Sequence, residues 1–373
     1  MYLNAEEKHD RQSAQRTRAN RFEKHRRLPR RGSNFTAVSM NATALARPAL
    51  RVTAKDCGAG FFALLIYALN QLIYAESHGY AAHVDFGERC RDGRINRYYS
   101  AAHGTNVWDY FFLPVAPAVV PSASDVLLTP KQLFNLHHLD PESIQTYPHG
   151  VHRHLKLPRW RYDEPWHWTM RSRAYRLLSG PVRLKPPPLH VVRTFYREHI
   201  LARGSERPLL GLHLRGTDKL KNIGGRIIGP AEYQPLVGEY LTRHPNALIF
   251  LATDSPAFLA EMRRRYPDTL VVYDALRSER NVFIDRKVAD TYKKGEDALV
   301  DALLLSCANL LIKPASALSE FAVYWNPQLH NHTLELQYEV GIDVPATLKA
   351  HFASERDRLR GFERCAPVLR AAA

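Results

Sequence analysis

A chain of 373 residues with 45% hydrophobic content is long enough for two ordinary domains and apolar enough for real cores. Its longest apolar run, Phe61 to Leu69, is too short to span a bilayer. The net charge of +15 favours anionic partners such as nucleic acid, acidic membrane or phosphorylated small molecules, without choosing among them.

The first 50 residues read as a tail. Residues 1–31 carry ten Lys/Arg against four Asp/Glu and lack hydrophobic periodicity, the composition of a disordered segment. No signal-peptide core is expected there, and the acids argue against a transit peptide. Ordered structure is expected from Leu50-Arg51-Val52-Thr53. The turn Cys57-Gly58-Ala59-Gly60 then leads into a long buried helix from Phe61 to about Ala75, and Tyr80 to Phe86 reads as the next strand. Strand, glycine turn, helix, strand is how a doubly wound α/β domain opens. Gly58 and Gly60 would let a ligand approach backbone N–H groups, although glycines at such turns also simply save space.

Residues 87–190 resist a regular reading. Nine prolines between 114 and 181 break any long periodicity. A second basic concentration runs from Tyr147 to Lys185. Trp160, Trp166 and Trp168 lie there with His149, His152, His154 and His167. The rings suit sugar faces or an irregular core. The histidines lack metal spacing, so no metal site is expected. Cys57, Cys90, Cys307 and Cys365 lie far apart and form no C-x-x-C pair; Cys307 reads as a core residue and disulfides are not indicated. Sequons at Asn34, Asn41 and Asn331 say little about compartment.

Pro186-Pro187-Pro188 marks a boundary before a helix from Leu189 to Arg203. The central stretch follows, Leu209 to Lys219. Leu210, Leu212 and Leu214 fall on one face of a strand, and Gly211, His213 and Arg215 on the other. Gly216-Thr217-Asp218 stops it. An imidazole and a guanidinium thus project from a strand's carboxyl end, where open α/β sheets bind ligands. Arginine's planar fork matches two phosphate oxygens at once, and Gly216 would let a ligand come close. The alternative is a structural Arg215–Asp218 pair.

Helices and strands then alternate: a helix from Pro230 through Leu241, a strand over Ala247–Asp254, a helix over Ala257–Tyr266 capped by Ser255, and a strand over Leu270–Tyr273. A helix over Glu296–Cys307, a strand over Asn309–Lys313 and a helix over Glu320–Trp325 complete a parallel sheet with covered faces. A terminal helix is expected near Ala346–Phe362. Asp254 follows a strand. Ser316 or Ser319 stands at a helix N-terminus and could meet a phosphate beside free backbone N–H groups. Asp297 and Asp301 share a helix face. Asp301 sits among Leu299, Val300 and Leu303, where a bare carboxylate is costly. The guanine N1–H and N2–H₂ edge offers the two parallel donors such a group wants; support of the fold is the alternative. The residues alone point to a nucleotide diphosphate site, with guanine a candidate base.

Gly211-Leu212-His213-Leu214-Arg215-Gly216-Thr217-Asp218-Lys219, Phe250-Leu251-Ala252-Thr253-Asp254-Ser255-Pro256 and the spacing of Asp301 to Ser316 together resemble the α-1,6-fucosyltransferase family. That family is related to the protein O-fucosyltransferases. The turn Cys57-Gly58-Ala59-Gly60 resembles its first glycine turn. The resemblance covers about 207–325, is thin over 51–86, and implies an α/β, GT-B-like fold: two Rossmann-like domains facing across a cleft, here with a disordered basic N-terminal tail. The expected layout is a tail over 1–50, an acceptor-side domain over 51–206, a GDP-sugar-binding domain over 207–340, and a helix and tail over 341–373. By resemblance, Arg215 binds the β-phosphate, His213 lies against the nucleotide, Asp301 reads guanine and Ser316 touches phosphate. Asp218, Gly58 and Gly60 join this donor-binding set, and Arg215 and Asp254 the catalytic one.

The implied activity is inverting, metal-independent transfer of fucose from GDP-fucose to a glycan or glycoprotein hydroxyl, with no cofactor. The family works in the Golgi lumen; membrane association would require an anchor missing from this chain. One departure stands out. The family carries a glutamate, thought to be the general base, shortly after the Asp-Lys pair, where this chain reads Leu220-Lys221-Asn222-Ile223-Gly224-Gly225. Either the base comes from elsewhere, with Asp254 and Asp85 candidates only because each follows a strand, or a mechanism without a protein base applies, like that of the O-fucosyltransferases. The rivals are the same fold with another nucleotide sugar, a non-catalytic GDP-sugar or glycan-binding relative, and nucleic-acid binding, which no recognised motif supports.

Overall fold

The computed structural model describes residues 48–54, 59–140, 143–145, 164–217, 227–282, 284, 285 and 287–334. The expected tail up to residue 47, Cys57 and Gly58, the stretch 146–163, the side chains of Trp166, His167 and Trp168, Asp218 with its following loop, and the terminal helix lie outside the described residues.

The chain opens as its hydrophobic pattern requires. Strand β1 (Leu50–Thr53) pairs in parallel with β2 (Ala82–Asp85), and helix α1 (Phe61–Ser77) crosses between them. Helix α1 is apolar on nearly every side and is buried accordingly. Its buried Gln71 accepts from the Thr53 N–H and donates to the Thr53 carbonyl, which fixes α1 on β1 and leaves no polar group stranded.

The stretch expected to be irregular contains helices α2 (Trp108–Phe111), α3 (Pro130–His138) and α4 (Glu164–Leu178). Proline begins α3 rather than breaking it. A capping box sets that start, with the Thr129 hydroxyl accepting from the Gln132 N–H and the Gln132 carboxamide accepting from the Thr129 N–H. Similarly, Pro186-Pro187-Pro188 forms the first turn of α5 (Pro186–His199), so that helix starts three residues before the expected Leu189. A missing N–H costs nothing there, because no carbonyl lies one turn back to receive it.

The second sheet has five parallel strands in the order β5-β4-β3-β6-β7. They are β3 (Leu209–Leu214), β4 (Leu248–Thr253), β5 (Leu270–Val271), β6 (Leu310–Lys313) and β7 (His330–Thr333). Helices α6 (Pro230–Arg243), α7 (Pro256–Arg265), α8 (Thr291–Leu305) and α9 (Ala317–Trp325) cover it. Helix α8 starts earlier than its apolar pattern suggests, because the Asp290 carboxylate caps the Lys293 N–H. Strand β7 went unforeseen, since its sequence His-Asn-His-Thr carries no apolar alternation. Asn331 of the third sequon lies in it, accepting from Arg171 and donating to the Leu329 carbonyl.

The alternation read in β3 holds. Leu210, Leu212 and Leu214 pack with Ile249, Leu251 and Tyr233 on one face. On the other, Phe250 and Ala252 join the α8 leucines in a core that continues through Phe61, Phe62 and Phe111 into the first half. Phe62 lies 4.8 Å from Phe321 and 6.1 Å from Trp325, between ring centroids. The two α/β halves thus share one core beneath the cleft they form.

Gly295 of α8 sits at that junction. A Cβ there would lie 2.9 Å from Phe111 Cε2, and the Phe111 ring is fully buried. Gly295→Val should therefore overpack the junction and destabilise the protein by about 1–3 kcal/mol, read as a lower melting temperature.

Candidate active site

A cavity of about 980 Å³ opens between the carboxyl ends of β3, β4 and β6 and the start of α1. The strand order places it. Strand β3 is flanked by β4 on one side and β6 on the other, so the crevice beyond its carboxyl end is the sheet's switch point. His213, Arg215, Asp254, Asp301, Ser316 and Gly60 all line this one cavity. Gly58 and Asp218, and with Asp218 the alternative Arg215–Asp218 pair, lie outside the described residues.

The turn after β3 is held from β4. One Asp254 oxygen accepts from the Gly216 N–H at 2.8 Å, and the other from the Thr217 hydroxyl at 2.7 Å. This fixes the backbone beside Arg215, itself half-buried at the cavity wall. Gly216 answers a packing need. A Cβ there would lie 2.8 Å from the Phe258 ring and 3.0 Å from Ser255, so the glycine makes room for the start of α7 rather than for a ligand. His213 is 3% exposed, and the Tyr233 hydroxyl donates to its carbonyl.

Two helix N-termini converge on the same space. Gly60 is the N-cap of α1 and Ser316 that of α9, and neither makes a side-chain capping bond. First-turn N–H groups of both helices have no intrahelical acceptor, which favours an anion at either end. Ser319 turns away, its hydroxyl donating to the Pro314 and Ser316 carbonyls. Behind the Ser316 turn, Glu320 joins Arg171 Nε at 3.0 Å and Lys313 Nζ at 2.6 Å, all three buried. That network ties the turn to α4. Buried charges of this kind hold geometry well, because losing one leaves the others stranded.

Asp297 and Asp301 share the cavity face of α8, and neither is solvated. Asp297 accepts from the Leu276 N–H and from Lys293. Burial raises its pKa, and those donors oppose the rise. Asp301 differs. Its Oδ1 is buried with no hydrogen-bond partner among the described residues. Burial holds its pKa well above 3.8, against the pull of the nearby Arg277 charge. A buried acceptor at a cavity wall is satisfied from the cavity side, by water or by a ligand.

Sequence reasoning missed several lining residues. Lys294 had a signal in its spacing to Asp297 and Asp301, one helix face. It is nine-tenths buried; burial lowers its pKa, the Asp285 charge opposes this and the Arg97 charge adds to it. Arg97, Glu279 and Arg280 sit on loops and carried none. Asp85 does not line the cavity and pairs with Arg51 at 2.9 Å. Cys90 is disulfide-bonded, which the cysteine spacing did not indicate, and Cys307 is a buried thiol donating to the Leu303 carbonyl, a core residue as expected.

No protein-family model matches the chain. Over 135 residues, 35% of this chain, it is 30% identical to an α-(1,6)-fucosyltransferase of Drosophila melanogaster. The chain is similar to the α-1,6-fucosyltransferases. It spans 21% of that relative's length. Among solved structures, the NodZ α-1,6-fucosyltransferase soaked with GDP-fucose is 17% identical, with a TM-score of 0.40 over 75% of this chain and 93% of that one. POFUT1 in complex with GDP-fucose is 10% identical, with a TM-score of 0.43 over 78% and 98%.

The open carboxylate makes a stability prediction. A native pKa raised above its unfolded value means that the folded state holds the proton longer. Folding stability then falls as pH climbs from 3.8 towards the native value. Unliganded Asp301→Asn should therefore melt higher than the wild type at about pH 7, and the gap should close towards about pH 4. Thermal unfolding across that range checks it; a lower melting temperature throughout would make Asp301 a structural support.

Proposed function

We propose that this chain is a fucosyltransferase that moves fucose from GDP-fucose to a hydroxyl of a glycan or glycoprotein, with inversion and without a metal. The observation that carries the reading is the open, buried Asp301 at the cavity wall. A guanine edge would satisfy it with two parallel donors. The 30% identity to a named fucosyltransferase favours fucose over other sugars. Negative charge grows on the diphosphate as its bond to the anomeric carbon breaks. Arg215 and the N-termini of α1 and α9 offer fixed positive ends to meet it, the role a metal would otherwise fill. Asp254 acts in this reading by holding the Arg215 turn. Asp218 and Gly58 complete the proposed donor set.

A luminal setting, the Golgi, fits the disulfide at Cys90, since disulfides persist in oxidising compartments. Among the described residues, no helix is long and apolar enough to cross a membrane. Incubation with labelled GDP-fucose and a glycan array tests the activity. Transfer to at least one glycan is expected, with GDP-mannose and UDP-sugars poor donors. Tight GDP binding with no transfer would overturn the enzyme reading in favour of a non-catalytic binder.

Arg215→Ala should lose about 10²–10³ in turnover while remaining folded. Arg215→Lys should also be poor, because an ammonium keeps the charge without the two-pronged contact. A purely structural Arg215 predicts instead a lowered melting temperature that lysine largely restores. For the base, Asp301→Asn should weaken GDP binding far more than IDP binding, since IDP lacks the 2-amino group. Equal losses in titration calorimetry would remove the guanine assignment.

A further inference from the structure

Transfer to a hydroxyl must dispose of a proton. The acceptor oxygen bonds to the anomeric carbon, and the bond from that carbon to the diphosphate oxygen breaks. GDP leaves with the electron pair, and the hydroxyl proton passes to a base. This inference rests on the fucosyl-transfer reading above and identifies that base. The segment Leu220 to Gly225 carries no acid to serve.

Among the described residues, four carboxylates line the cavity: Asp254, Glu279, Asp297 and Asp301. Three are committed. Both Asp254 oxygens accept from the turn after β3, at 2.8 and 2.7 Å. Asp297 accepts at both oxygens from Leu276 N–H and Lys293 Nζ, at 2.8 and 2.7 Å. Asp301 is buried, and the reading above commits it to the guanine edge. A carboxylate that must accept a proton in every turnover needs a free oxygen and access to solvent.

Glu279 has both. It lies on the loop between β5 and α8, exposed to solvent. It has no hydrogen-bond or ion-pair partner among the described residues, and it forms part of the cavity wall beside Arg280. We propose that Glu279 is the general base that takes the acceptor proton. The carboxylate then returns the proton to water at the cavity mouth. The device differs from a base carried on the turn after β3: it places the base on the loop that follows β5.

Glu279→Gln keeps the shape and removes the basic oxygen. Wild-type transfer and GDP affinity are measured first, since absence of transfer by the wild type would overturn the function and this assignment together. Given an active wild type, Glu279→Gln should lose about 10²-fold or more in kcat. Its GDP affinity and melting temperature should stay unchanged, and the acid-side fall of kcat/KM should disappear from its pH profile. Glu279→Asp should recover part of the loss. A fully active Glu279→Gln would overturn the base and leave the fucosyl-transfer reading standing. A parallel fall in GDP affinity or melting temperature would also overturn it, because Glu279 would then be a binding or structural residue.

Discussion

Everything at the cleft depends on β3 lying in the middle of its sheet. The chain leaves β3 through α6 towards β4 on one side and reaches β6 through α8 on the other. Helices α6 and α8 therefore cover opposite faces, with Tyr233 packing in one core and Leu299 in the other. Among the described residues, no connection closes the crevice between them at the carboxyl ends. The turn bearing Arg215 forms one lip, and the turn ending at Ser316 the other. Each lip is braced from behind, the first by Asp254 from β4 and the second by Glu320 with Lys313 and Arg171.

The bracing explains how an unfavourable group survives at the centre. Asp301 is carried by a helix packed among leucines and held in the largest core of the molecule. The burial of Leu299, Val300 and Leu303 offsets part of what a buried carboxylate costs. The Asp301 position is locally destabilising and globally supported.

The parts legible in the sequence were those with an unambiguous period. Leucines alternating through β3, continuous apolar runs in β4 and β6, and the all-round apolar α1 each fold as they read. Asp301 was legible because its neighbours are leucines. The starts of α3 and α5 were obscured because proline reads as a breaker until its place in the first turn is known. Strand β7 is polar at a sheet edge, where ladder bonds rather than apolar alternation hold it. Asp254 shows the sharper limit. A carboxylate after a strand can face a ligand or its own neighbouring turn, and only the 2.7–2.8 Å contacts to Gly216 and Thr217 distinguish the two. Glu279 had no pattern at all, since its place follows from how a loop drapes over the cavity.

The contact of Phe62 with Phe321 and Trp325 also bears on motion. Lobes that each own a core can swing about a linker and open wide between turnovers. Here the rings interlock beneath the cleft, and swinging the halves apart would expose them to water. Of the cavity's walls, the stretch from Leu276 to Val282 carries no helix or strand of its own and stands outside this interlock. A change in access to the cavity would then come from a loop shifting over a rigid floor rather than from a hinge between lobes.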